Sequence, residues 1–171
     1  MGYCTDFYGA FSVTPALTDE QTNYINDFSN TCRLKRDINV LMETYDGKYG
    51  YPGKTGTAEE IYGKEGEFFV REDGFCGQTR DESVLEYNVP PSTQPGLWCQ
   101  WVINGDVLVW DGGEKFYNYV EWLEYLIENF FKPWGITING EVEWCGEYRS
   151  DIGKIVVTDN KVQALKGRIE Y

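Results

Sequence analysis

The chain has 171 residues, 42% hydrophobic and 16% aromatic; that composition excludes disorder over most of its length and is enough to build one domain that buries roughly two thirds of its surface. A net charge of −13, from 28 Asp and Glu against 15 Lys and Arg, disfavours direct binding to nucleic acid or to an anionic membrane. The absence of histidine removes Ser-His-Asp and Cys-His catalysis, and with no C-x-x-C pair among five cysteines it removes the usual zinc ligand sets as well.

In chain order, residues 3–13 alternate, with Tyr3, Phe7, Phe11 and Val13 on one side and Cys4, Asp6 and Ser12 on the other, which predicts a half-buried strand. Thr18 with Gln21 three residues later forms a capping box, and Tyr24, Ile25, Phe28 and Cys32 recur at helical spacing, so a helix is expected over about 18–32. The following "CRLKRD" concentrates Arg33, Lys35 and Arg36. Those cations either complement the helix C-terminus or form an anion site, because arginine recognises phosphate and carboxylate bidentately. Residues 45–66, rich in Gly, Tyr and Lys, read as a loop excursion within a single domain spanning 1–171. A short strand is expected at 67–71, then an irregular stretch ending in three prolines.

"LWCQWVINGDVLVW" reads as a hairpin turning at Asn104-Gly105-Asp106, and the apolar character of both faces of its first arm places that arm centrally in a sheet. Phe116, Tyr119, Val120, Leu123, Leu126, Ile127 and Phe130 share one stripe and predict an amphipathic helix over about 114–131, stopped by Pro133. In "ITINGEVEWCGE", a tight turn at Asn139-Gly140 would set Ile138 against Glu141. One continuous strand instead aligns Ile136, Ile138, Val142 and Trp144 on one face and Glu141, Glu143, Cys145 and Glu147 on the other, so the through-strand is expected, with Gly140 its weak point. A last hairpin turns near Asp159-Asn160. The fold class expected is α+β, a single mainly antiparallel sheet with two helices packed on one face.

The glutamate row reads as the solvated face of that sheet; glycoside chemistry would need two carboxylates held in a cleft, one with a raised pKa. No metal or cofactor motif is present. The irregular segments hold the richest recognition chemistry: Gln78, Arg80, Asp81, Tyr87, Asn88, Gln94, Trp98, Gln100, Trp101 and Trp110, which either serve a ligand or protein hot spot, or fill the core and tie down loops.

The stretches "CRLKRD", "GQTRDES", "YNVPPSTQPGLWCQWV", "WDGGEKFYNYVEWLEYLI" and "INGEVEWCGE" resemble a family of small uncharacterised proteins of bacteria and their phages. The resemblance covers nearly the whole chain and implies a mobile-element setting in a cytosol, but assigns no residue a role. The scattered cysteines, read as reduced thiols, and the lack of an apolar leader or membrane-spanning run also point to a cytoplasmic protein. The reading that follows is a non-enzymatic, phage-type binding protein that recognises a host protein or an anionic small molecule through Arg33, Lys35, Arg36 and the Arg/Gln/Trp loops, as a counter-defence factor. The alternatives are a hydrolase-type enzyme using Asp81, Asp111 and Glu114 from distant segments, and an acidic DNA mimic.

Overall fold

The computed structural model describes residues 2–71 and 81–170. In chain order its elements are β1 (Thr5–Thr14), α1 (Asp19–Asn30), β2 (Lys35–Arg36), α2 (Ile38–Tyr45), α3 (Ala58–Tyr62), β3 (Val84–Glu86), β4 (Trp101–Asn104), β5 (Val107–Trp110), α4 (Tyr119–Leu126), β6 (Thr137–Gly146), β7 (Ile152–Thr158) and β8 (Lys161–Lys166). A π-helical turn, Ile127–Phe131, continues α4. The chain divides into two compact units, Met1–Thr18 with Gln100–Tyr171, and Asp19–Cys99.

The first unit carries an antiparallel six-stranded sheet in the order β4-β5-β1-β6-β7-β8. Alternation sets its faces. β1 buries Thr5, Phe7, Phe11 and Val13 and exposes Asp6, Tyr8, Ser12 and Thr14, while β6 buries Ile138, Val142 and Trp144 and exposes Glu141, Glu143 and Cys145. β6 is one continuous strand, paired with β1 from Thr137 opposite Thr14 to Gly146 opposite Thr5. Two glycines let this central pair approach closely: a Cβ at Gly9 would lie 2.6 Å from the Glu141 carbonyl oxygen, and one at Gly140 would lie 2.9 Å from that of Ala10. β7 and β8 form the last hairpin, turning through Asp159 and Asn160 at φ 48° and 69°.

α4 and its π turn bury Trp122, Leu123, Leu126, Ile127, Phe130 and Phe131, and Tyr119 packs on Phe7 and Trp144 of the sheet's inner face. The helix starts at Tyr119 instead of near 114, since Lys115 and Asn118 take positive φ. Phe116 keeps its place in the apolar stripe without being helical: buried, it packs edge-on against Phe7 and Trp101. The first arm of the 101–110 hairpin is an edge strand, not a central one. Its apolar character has another cause, because Trp101 and Ile103 fill the core and Val102 is only half-buried.

Among its described residues the second unit has little sheet, a pairing of β2 with β3. α1 buries Tyr24, Ile25 and Phe28. The stretch 45–66 is more than a loop, because α3 lies within it and contributes Ile61 and Tyr62 to a core cluster with Leu41 and Phe69. Caps start both short helices: Asp37 accepts from the Asn39 and Val40 N–H groups at α2, and Thr57 accepts from Glu60 N–H at α3. No strand forms at 67–71; Phe68 N–H donates to Tyr62, Phe69 to Gly66 and Val70 to Tyr49, so the backbone turns. Cys32 is disulfide-bonded, which corrects the expectation of reduced thiols throughout, whereas Cys4 and Cys145 are free.

The α+β class and the mainly antiparallel sheet are thus as the sequence implies. The sheet's own unit contains one helix, α4 with its π turn, and α1 belongs to the other. No helix among the described residues is long and apolar enough to cross a membrane.

Candidate binding surface

The two arginines of "CRLKRD" point inward. Arg33, 2% exposed, donates to the carbonyls of Glu67 at 2.7 Å and Phe69 at 2.8 Å, and its guanidinium stacks 4.1 Å from the Phe28 ring. Gln94 joins it, donating from Nε2 to the Glu67 carbonyl at 2.8 Å and accepting a long contact from Arg33 Nε at 3.4 Å. Arg36, 3% exposed, pairs with Asp81 at 3.0 Å, donates to Ser83 Oγ and lies over Phe69. Only Lys35 reaches solvent, 3.9 Å from Glu65. This geometry supplies donors to an irregular backbone; it is a staple for the second unit.

The remaining loop residues divide. Gln100 Nε2 donates to the Glu114 carbonyl while its Oε1 accepts from Trp110 Nε1, and Trp101, fully buried, donates from Nε1 to the Tyr119 carbonyl. Trp98 and Trp110 are half-buried, and Asn88 is exposed in the left-handed region at φ 63°. Gln78 and Arg80 lie outside the described residues.

The acids read as enzyme candidates have structural surroundings. Burial acts to raise the pKa of Asp81, but hydrogen bonds from Ser83 and the charge of Arg36 outweigh it and hold the carboxyl below its ordinary value. An ionised, bonded Asp81 is a poor general acid. Desolvation raises the pKa of Asp111, partly offset by the Gly113 N–H it accepts from. Glu114 is exposed. In the glutamate row, Glu141 lies 3.5 Å from Lys154 and Glu147 accepts from Cys4 N–H, so these acids decorate the outer face singly. Among the described residues no group of three or more His, Cys, Asp or Glu could hold a metal ion.

The outer face of the sheet holds a different feature. Pairing sets Tyr8 opposite Glu143, Glu143 opposite Lys154 and Lys154 opposite Leu165, so one row of side chains crosses β1, β6, β7 and β8. Beside it runs a second row, Asp6, Cys145 and Ile152. The first row, with Cys145 and Ile152 of the second, lines a concavity of about 450 Å³ that is floored largely by carbon. Tyr8 is 60% exposed and Leu165 38%. Large apolar side chains that reach water on a strand face contribute nothing to the core they turn away from, and grouped exposure of this kind marks interaction surfaces. The local period of two puts each residue outside, but Tyr8 and Leu165 lie far apart in the chain, and only the strand order brings them into one row. No protein family, curated protein or solved structure matches the chain.

Proposed function

We propose that this chain is a non-enzymatic binding protein that holds a protein partner on the outer face of its six-stranded sheet. The observation that carries this reading is the exposed row Tyr8, Glu143, Lys154 and Leu165, which lines a concavity beside Ile152. It pairs an aromatic and an aliphatic anchor with charged neighbours, the combination that binding hot spots use. The buried bonding of Arg33, Arg36 and Gln94 moves recognition away from those residues. Tyr8 and Leu165 also interrupt the carboxylates of this face, which favours capture of a protein over imitation of a uniformly charged nucleic acid.

The test is affinity capture from a host lysate with wild type, Tyr8→Ser and Leu165→Asp in parallel, each checked for an unchanged melting temperature. A partner retained by wild type and lost by both variants supports the proposal. A partner retained equally by all three contradicts it.

A further inference from the structure

The outer-face concavity ends at β8, the last strand of the sheet and one of its two edges. Ladder bonds in an antiparallel pair alternate, and Gly167 N–H donates to the Ile152 carbonyl, so Gln163 and Leu165 direct their backbone groups toward β7. Val162, Ala164 and Lys166 therefore direct N–H and C=O outward along the edge, where Ala164 and Lys166 are exposed. The pairing of β8 with β7 runs without interruption from Lys161 to Lys166. Between those lysines the strand carries no charge and no proline. Lysines guard sheet edges against aggregation, yet here they leave an open four-residue template between them. A concavity lies on each side of it, the outer one at Leu165 and a smaller one of about 290 Å³ bounded by Glu124, Ile127 and Val162.

Charge selects what pairs there. Over residues 152–168 four cations, Lys154, Lys161, Lys166 and Arg168, stand against the single anion Asp159, with Lys154 also 3.5 Å from Glu141 of β6, within a chain whose net charge is −13. A second copy of the chain would set the same cations against themselves and add the repulsion of two strongly acidic bodies.

We infer that β8 is a strand-addition site for an extended acidic segment of the partner, which pairs with Val162, Ala164 and Lys166, sets its carboxylates on the outer face near Lys154 and Lys161, and turns its alternate, apolar side chains to the other face beside Ile127 and Val162. This inference rests on the outer-face reading above and specifies its mode. Main-chain bonds supply affinity, and alternate side chains reaching the two concavities supply selectivity.

The experiment titrates the full chain with a capped peptide of alternating valine and glutamate and follows amide exchange by NMR. At millimolar peptide, exchange at the Val162, Ala164 and Lys166 N–H groups slows at least about tenfold, while Gln163 and Leu165 change less than about twofold. Replacing glutamate by lysine in the peptide, or methylating alternate backbone nitrogens, weakens binding at least about tenfold. Ala164→Pro, which removes an outward donor at an edge position that tolerates proline, does the same with the melting temperature held. Unchanged exchange at the three amides, equal binding of the lysine peptide, or self-association of the protein through β8 overturns the inference. If Leu165→Asp still abolishes partner capture in that event, the outer-face reading survives without strand addition; if it does not, both fail.

Discussion

The two units satisfy their backbones by opposite means. In the sheet unit the strands bond one another, and side chains are left to pack inside or to meet water outside. In the unit from Asp19 to Cys99 ladder pairing is slight, and buried arginines and glutamine take its place as donors: Arg33 bridges the Glu67 and Phe69 carbonyls, and Gln94 serves Glu67 again. The difference teaches that a cluster of cations in an irregular segment has two uses, anion capture and backbone support. Only burial separates them. It also shows where a regular sheet has side chains to spare for recognition, on the face that needs none for its core.

The comparison breaks most directly at Arg33. Arg33→Ala should destabilise the protein by about 3 kcal/mol, because it strips charged donors from buried carbonyls, and it should lower the denaturant midpoint. Arg33→Lys should not restore the loss, since an ammonium cannot span two carbonyls in a planar fork while stacking on Phe28. Unchanged midpoints would return Arg33 to the role of a ligand residue.

In the sheet unit the sensitive position carries no side chain at all. Gly9→Ala should cost about 2 kcal/mol, because Gly9 has φ 116° and a Cβ there would meet the Glu141 carbonyl. A midpoint within error of wild type would show that β1 and β6 have room to part.

Acid sharpens the contrast between the units. The pKa of Asp81 in the folded protein lies below its ordinary 3.8, so its stabilising effect is present at neutral pH and is lost as pH falls below about 4 toward the folded value. Asp81→Asn should lower stability at pH 7 and flatten the acid limb relative to wild type, as measured by denaturant titrations from pH 7 to 3. Parallel acid limbs would contradict the Arg36 and Ser83 contacts as its cause.

Much of the sheet was legible because period and parity are local. Phe7 and Phe11 in β1, and the question of whether Ile136–Glu147 turns or runs through, both yield to counting by twos. The hairpin turns at Gly105-Asp106 and Asp159-Asn160 announce themselves through residues that tolerate positive φ, which Gly105, Asp159 and Asn160 adopt. What escaped was set by distant partners. The edge position of β4 depends on strand order, and the loss of a strand at 67–71 depends on carbonyls bonded to Arg33. α3 did leave a local trace, since Thr57-Ala58-Glu59-Glu60 is a capping box, but the surrounding glycines obscured it. The site was the least legible part. Burial was the missing quantity for Arg33, Arg36 and Gln94, and strand register was the missing quantity for Tyr8 with Leu165.

The smallest stability effect is expected where the functional effect is largest. Tyr8→Ser and Leu165→Asp should each shift stability by no more than about 0.5 kcal/mol, since neither side chain leaves a cavity in the core.

One paired measurement tests the central claim that recognition sits on the outer sheet face while the buried arginines hold the second unit together. Denaturant midpoint and partner retention are measured for Arg33→Ala and Leu165→Asp on the same preparations. The account predicts a lowered midpoint for Arg33→Ala, and an unchanged midpoint with lost retention for Leu165→Asp. A stable Arg33→Ala that loses the partner beside a Leu165→Asp that keeps it would contradict the account.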